Sequence, residues 1–281
     1  MAHKNTSKSQ FGASKIHRAV TLCHGSFMAS ISSPQPGIAL TGVLPDDLTS
    51  VRRRSDLLEF WTAYALITLA IWAPLMWQRG LSVVALAWVV WATVRSFDGW
   101  RAMGFRVAGF WRAAWVLPVV LALSAVTVAI AAQIGTLHAP PTAVQFLQRY
   151  GGYAIWSFLQ EFLLLNFFLL RLLRLIPGRY KAALAASSLF AFVHLPNPVL
   201  TPLTLLWGYA ACLIFLRYRN LYIPAVAHAI LGITIAITVP GPVDHNMRVG
   251  LGYLTYREHK HHPHPLPTAA RSTTLYPPSH G

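Results

Sequence analysis

Apolar residues run through this chain in blocks of about 14 to 24, too long for strands and close to the roughly 20 residues with which a helix crosses a hydrocarbon core. Seven such blocks stand at approximately 57–77, 81–97, 113–134, 153–176, 182–195, 199–216 and 221–239, separated by short basic or Pro/Gly-containing segments. The pattern predicts an all-α fold, a polytopic membrane bundle of about seven transmembrane helices. The second and fifth blocks are the shortest. Trp72, Trp77, Trp111, Trp115 and Tyr222 lie near block ends, the depth at which amphipathic rings gather.

Outside the blocks the periodicity fails. Residues 1–54 are rich in Ser, Pro, Gly and Lys and end in "VRRR", which predicts a disordered basic tail whose last residues attract anionic headgroups. The first 50 residues contain no continuous apolar stretch of the kind a signal peptide carries. The segments 101–112 and 142–152 mix apolar with basic or amide side chains and are expected in the interface. Residues 241–281 read as a disordered His/Pro-rich tail, with five histidines between His245 and His264. That composition fits a solvated end with some capacity for adventitious metal. The transmembrane domain is expected over 55–240.

Composition supports the membrane reading, since 55% of residues are hydrophobic and 11% charged, too apolar for an ordinary soluble domain. A net charge of +15 raises nucleic acid as a partner, but the basic residues sit mostly in tails and loops, so no nucleic-acid role is expected and the lipid bilayer is the partner implied. With the N-terminus cytoplasmic, inner loops carry Arg95, Arg101, Arg106, Arg112, Arg171, Arg174, Arg179, Lys181, Arg217 and Arg219, and outer loops only Arg79 and Arg149. This follows the positive-inside rule and puts the C-terminal tail outside. Cys23 and Cys212 make no disulfide framework and imply no redox or metal role.

Candidate chemistry lies where polarity interrupts the greasy blocks. Of eight acidic residues only Glu161, in "WSFLQEFLLLNFFLLRLLRL" (156–175), falls well inside a span, and of twelve histidines only His194 and His228 fall within or at the end of one. A charge at the bilayer centre costs about 2.5–3.5 kcal/mol on insertion scales, so such residues face interior cavities and act there by default. The bland alternative is interhelical hydrogen bonding. Pro196 disfavours helix at Leu195 and leaves His194 at a helix end. By the topology above, Glu161 lies about two turns from the outer end, His228 near mid-depth and His194 near the outer end, so all three can reach one cavity.

At these residues the chain resembles the CPBP family of intramembrane proteases, bacterial and archaeal relatives of the CAAX prenyl endopeptidase, which carry EExxxR, FxxxH and HxxxN (or a small residue for N) on successive helices. The corresponding segments are "QEFLLL" at 160–165, "FAFVH" at 190–194 and "HAILG" at 228–232. The likeness extends over about 100–240. It implies a multi-pass protein, in a bacterial inner membrane, that hydrolyses a peptide bond of a membrane-associated protein or peptide. It further implies that Glu161 is the base or its partner, His194 activates the water and His228 stabilises the oxyanion, with no cofactor. Gln160, Leu165 and Gly232 depart from the motifs. Gln160, Asn166 and Asn197 are the residues that could supply the missing hydrogen bonds, Asn197 being nearest to His194 in sequence.

Two other readings stand beside the protease. One is a catalytically inactive relative serving as an immunity or scaffold protein; the other is a proton-coupled transporter using Glu161. Transport predicts inverted repeats with interrupted helices, and none is visible in the sequence. Zinc held by Glu161, His194 and His228 is chemically possible, but no HExxH pair fixes two ligands on one helix, and a metal-free site is expected. Seven spans open the site outward whereas CAAX substrates are cytosolic, so an exported substrate or a different span count follows.

Overall fold

The computed structural model of the protein describes residues 46–257 except Asp98, Ala102, Arg106 and Ala108. Residues 1–45 of the expected basic tail, Cys23 among them, and the His-rich stretch from residue 258 onward lie outside the described residues.

Each of the seven apolar blocks forms helix. In chain order these are α1 (Asp46–Trp72), α2 (Leu75–Arg95), a short α3 (Phe110–Ala113) leading into α4 (Val116–Gln133), α5 (Ala143–Phe162), a π-helical stretch (Leu163–Leu169), α6 (Leu170–Leu175), α7 (Arg179–Phe192), α8 (Leu200–Tyr218) and α9 (Tyr222–Thr238). Two short helices follow, α10 (Gly241–Asp244) and α11 (Gly250–Leu254). The fold is an all-α membrane bundle, and among the described residues four helical runs are long and apolar enough to cross a bilayer: Leu75–Arg95, Phe110–Gln133, Ala143–Leu175 and Leu200–Tyr218. Helix α7 has 14 residues; at 1.5 Å rise it is about 21 Å long, short of a hydrocarbon core of roughly 30 Å.

Two boundaries differ from expectation. The first helix begins at Asp46, so the expected limit of the tail at residue 54 falls inside it. The fourth block begins at Ala143, ten residues before the expected 153, because the Thr142 hydroxyl accepts from the Gln145 amide and caps the helix. The interfacial segment 142–152 is therefore the first part of the helix, and Glu161 sits near the middle of the 33-residue run Ala143–Leu175.

The main core gathers Phe60 and Ala63 of α1, Val89 and Ala92 of α2, Leu164 through Leu169 of the π stretch without Asn166, and Ala182, Ala186 and Phe190 of α7 with Ala211 and Phe215 of α8. Small residues on α7 let α8 lie close: a Cβ on Gly208 would meet the Ser187 Cβ at 3.3 Å. Helix α9 packs against both α5 and α4.

Arginines expected in an inner loop are part of this packing. Arg171 is buried, and its Nη2 donates to Glu59 Oε2 (2.9 Å), the Ala92 carbonyl (3.2 Å) and Ser96 Oγ (3.1 Å), while its guanidinium lies 3.8 Å over the Phe167 ring. Arg174 forks onto Asp56 with two bonds of 2.8 Å. Together they tie the end of the fourth block to α1 and α2. Planar guanidinium suits this role because it fills several acceptors in fixed directions.

The expected C-terminal tail is not wholly a tail. Residues 241–257 fold back on the α7–α8 turn, where the Gly250 amide donates to the Leu195 carbonyl at 2.8 Å, and a Cβ on Gly250 would meet the Ile71 carbonyl at 2.6 Å. Asn197 joins the two segments. Its Nδ2 donates to the carbonyls of Asp244 (2.7 Å) and Arg248 (3.0 Å), and its Oδ1 accepts from the amides of Val199 (3.0 Å) and Leu200 (2.9 Å).

Two measurements check these ties. Arg171→Met should lower stability in detergent by about 3–5 kcal/mol, the cost of leaving Glu59 buried without its partner, and Arg171→Met with Glu59→Leu should recover part of that loss in the same melting assay. Asn197→Ala should cost about 2–4 kcal/mol through the lost cap and the orphaned carbonyls; a melting temperature equal to wild type would show that the 241–257 segment is held otherwise.

Candidate active site in the bundle

Glu161 is fully buried, as its position among Leu and Phe requires. Its Oε1 accepts from two helices at once: Trp207 Nε1 of α8 donates at 2.7 Å and His228 Nδ1 of α9 lies at 2.9 Å. An indole N–H only donates. With the carboxylate ionised, His228 Nδ1 carries hydrogen, and its Nε2 is left with a lone pair. Oε2 of Glu161 is buried without a partner among the described residues.

His194 lies one turn beyond Phe190, in the turn that ends α7. Its Nδ1 is 2.6 Å from the Phe190 carbonyl, and because a carbonyl only accepts, that nitrogen bears the hydrogen and Nε2 is again the free base. The ring of Phe190 stands edge-on to both imidazoles, with centroids 4.8 Å from His194 and 5.9 Å from His228.

Both histidines and Gln160 line a cavity of about 1170 Å³ that reaches all the long helices. Its walls are mostly apolar, from Ile67 and Leu86 through Leu163, Leu189 and Leu203 to Ile235. Glu161 is not on that wall: Trp207 and His228, which hold its carboxylate, are. The structure thus joins Glu161 to His228, where the resemblance associates the glutamate with the histidine of the second motif. The arrangement is that of a carboxylate orienting an imidazole that lines a largely apolar space, a geometry suited to taking and returning a proton.

The supporting candidates divide. Gln160 faces the cavity. Asn197 is buried, and its amide is engaged with four backbone groups, so it has no hydrogen left to offer a substrate and is corrected to a structural tie. Asn166 is buried in the π stretch, away from the cavity wall, and neither of its amide atoms has a partner among the described residues. Trp207 was missed in the sequence, where one indole in an apolar helix has the look of packing. Among the described residues no three His, Cys, Asp or Glu side chains converge to hold a metal ion. Asp244, outside the spans, also lines the cavity; one carboxylate oxygen accepts from the Asn246 amide at 2.9 Å, and burial pushes its carboxyl above the usual carboxylate range.

Residues 143–234 match the family model described as type II CAAX prenyl endopeptidase, Rce1-like. No curated protein and no solved structure matches the chain. The matched segment runs from the start of α5 into α9 and holds Glu161, His194, Trp207 and His228, with Gln160 on the cavity wall. Over that segment the chain is similar to the type II CAAX prenyl endopeptidases, and its long apolar helices are those of an integral membrane protein.

Proposed function

We propose that the protein is an intramembrane endopeptidase, a multi-pass protein of a bacterial inner membrane, which hydrolyses a peptide bond of a membrane-associated protein or peptide with water activated by a glutamate-oriented histidine. The observation that carries this reading is the buried Glu161–His228 contact of 2.9 Å behind a cavity wall that also bears His194. Water bonded to His228 Nε2 gives that nitrogen a proton as its oxygen attacks the scissile carbonyl carbon. The charge then on the imidazolium is met by Glu161, as in other carboxylate–histidine pairs. His194 Nε2 accepts the water's other hydrogen and orients it. When the C–N bond breaks, His228 returns its proton to the departing amine. Glu161 thus acts through His228 rather than on the water.

An apolar wall suits the task. Water and a charged intermediate are poorly stabilised there except by the groups aimed at them, so those few groups carry most of the effect.

The test compares new N- and C-termini across the membrane proteome of cells carrying wild type, Glu161→Gln, His194→Ala or His228→Ala. Termini made by wild type alone would establish proteolysis and identify the substrate. Glu161→Gln keeps an acceptor oxygen for Trp207 but loses the charge that supports the imidazolium, and should slow cleavage by about 10³-fold or more. Identical profiles from folded, inserted variants would overturn the protease reading in favour of a non-catalytic binding protein.

A further inference from the structure

Gly232 lies one turn beyond His228 on the same face of α9 and lines the cavity with it. The space where its side chain would stand is taken: a Cβ there would collide with the Tyr153 hydroxyl oxygen and fall 2.5 Å from Cζ. Tyr153 comes from α5, two turns before Gln160, and both residues line the cavity. The missing side chain on α9 therefore lets a phenol from another helix stand against α9 one turn along from His228.

Donors near this point are few. The Trp207 N–H is committed to Glu161, and both histidines hold their ring hydrogens on Nδ1 against other partners. Of the hydroxyls on the cavity wall, those of Tyr64, Ser82, Thr127, Thr204, Thr234 and Thr238 donate to backbone carbonyls, which leaves, among others, Tyr153 on α5 with the Gln160 amide, and Ser124 on α4, whose hydroxyl has no partner among the described residues. Ser157 lies one turn on from Tyr153, with its hydroxyl donating to the Tyr153 backbone carbonyl and within reach of the phenol oxygen, and no bond donated by the Tyr153 hydroxyl to a backbone carbonyl is found among the described residues. A neutral phenol held against the helix that carries the base, one turn from it, is a donor of the kind a developing oxyanion needs.

We infer that Tyr153, admitted by Gly232, donates its hydroxyl hydrogen to the carbonyl oxygen of the scissile bond as that oxygen gains charge. This rests on the protease reading. The bond strengthens when water adds to the carbonyl and weakens when the C–N bond breaks; the phenol keeps its proton throughout. Tyr153 touches the reacting atoms and so stands as a catalytic residue.

The experiment uses the full chain in lipid nanodiscs and a synthetic peptide spanning a cleavage site that only wild type produces. Tyr153→Phe keeps the ring and should lower kcat by about 10²–10³-fold with KM within about twofold, at an unchanged melting temperature. Gly232→Ala drives the phenol away without altering it chemically and should slow kcat to a similar degree. Because both remove one interaction, the double variant should be no slower than the slower single one. A wild-type kcat for Tyr153→Phe, a loss confined to KM, or losses that multiply in the double variant would each overturn the assignment while leaving the protease reading intact. A wild type that produces no termini of its own removes both together.

Discussion

A carboxylate with no access to water constrains everything around it. Glu161 sits near the middle of the 33-residue helical run Ala143–Leu175, where an unsupported charge costs about 2.5–3.5 kcal/mol or more. Two donors from two other helices converge on one of its oxygens, and bonds to charged groups are worth about 1.5–3 kcal/mol each. The balance closes only while α5, α8 and α9 keep their mutual positions. The same contact that makes the carboxylate tolerable also fixes the tautomer of His228 and leaves its other nitrogen without that hydrogen. Stability and chemistry thus draw on one set of atoms.

The other end of the same run is held differently. Arg171 and Arg174 meet Glu59 and Asp56 across from α1, with Arg171 reaching α2 as well. Between this anchor and Glu161 lies the π stretch Leu163–Leu169, almost wholly buried. A π turn holds more residues than an α turn and changes which side chains face which neighbour. Here it lies between a face that presents Gln160 to the cavity and one that presents Arg171 to the opposite helices. No proline or glycine marks it in the sequence, and the fourth block reads as one uninterrupted apolar run.

Much of this architecture was visible in the chain beforehand. Seven apolar blocks became seven helical segments because length and hydropathy leave few alternatives in a bilayer. Glu161, His194 and His228 stood out because polarity is scarce there. The pairing among them was not readable: that Glu161 meets His228 depends on how α5 crosses α9, which no local pattern encodes. Asn197 looked like a donor from its nearness to His194, yet backbone carbonyls of residues far along the chain claim it. Those carbonyls belong to the 241–257 segment, whose Pro and His content resembles a solvated end and whose order comes from contacts with the α7–α8 turn. Trp207 and Tyr153 were hidden for another reason. In a chain with ten tryptophans and ten tyrosines, an aromatic side chain in a span is ordinary, and only its polar tip distinguishes it.

Phe190 carries a consequence for how the site keeps its shape. Its carbonyl fixes one imidazole, and its ring lies against both. A side chain at the end of α7 thus bears on both bases at once, so a change of its size would reach them together. A reaction that needs two nitrogens at a set spacing is sensitive to such a shared support. One aromatic ring can in this way set the reach of a site built from three helices.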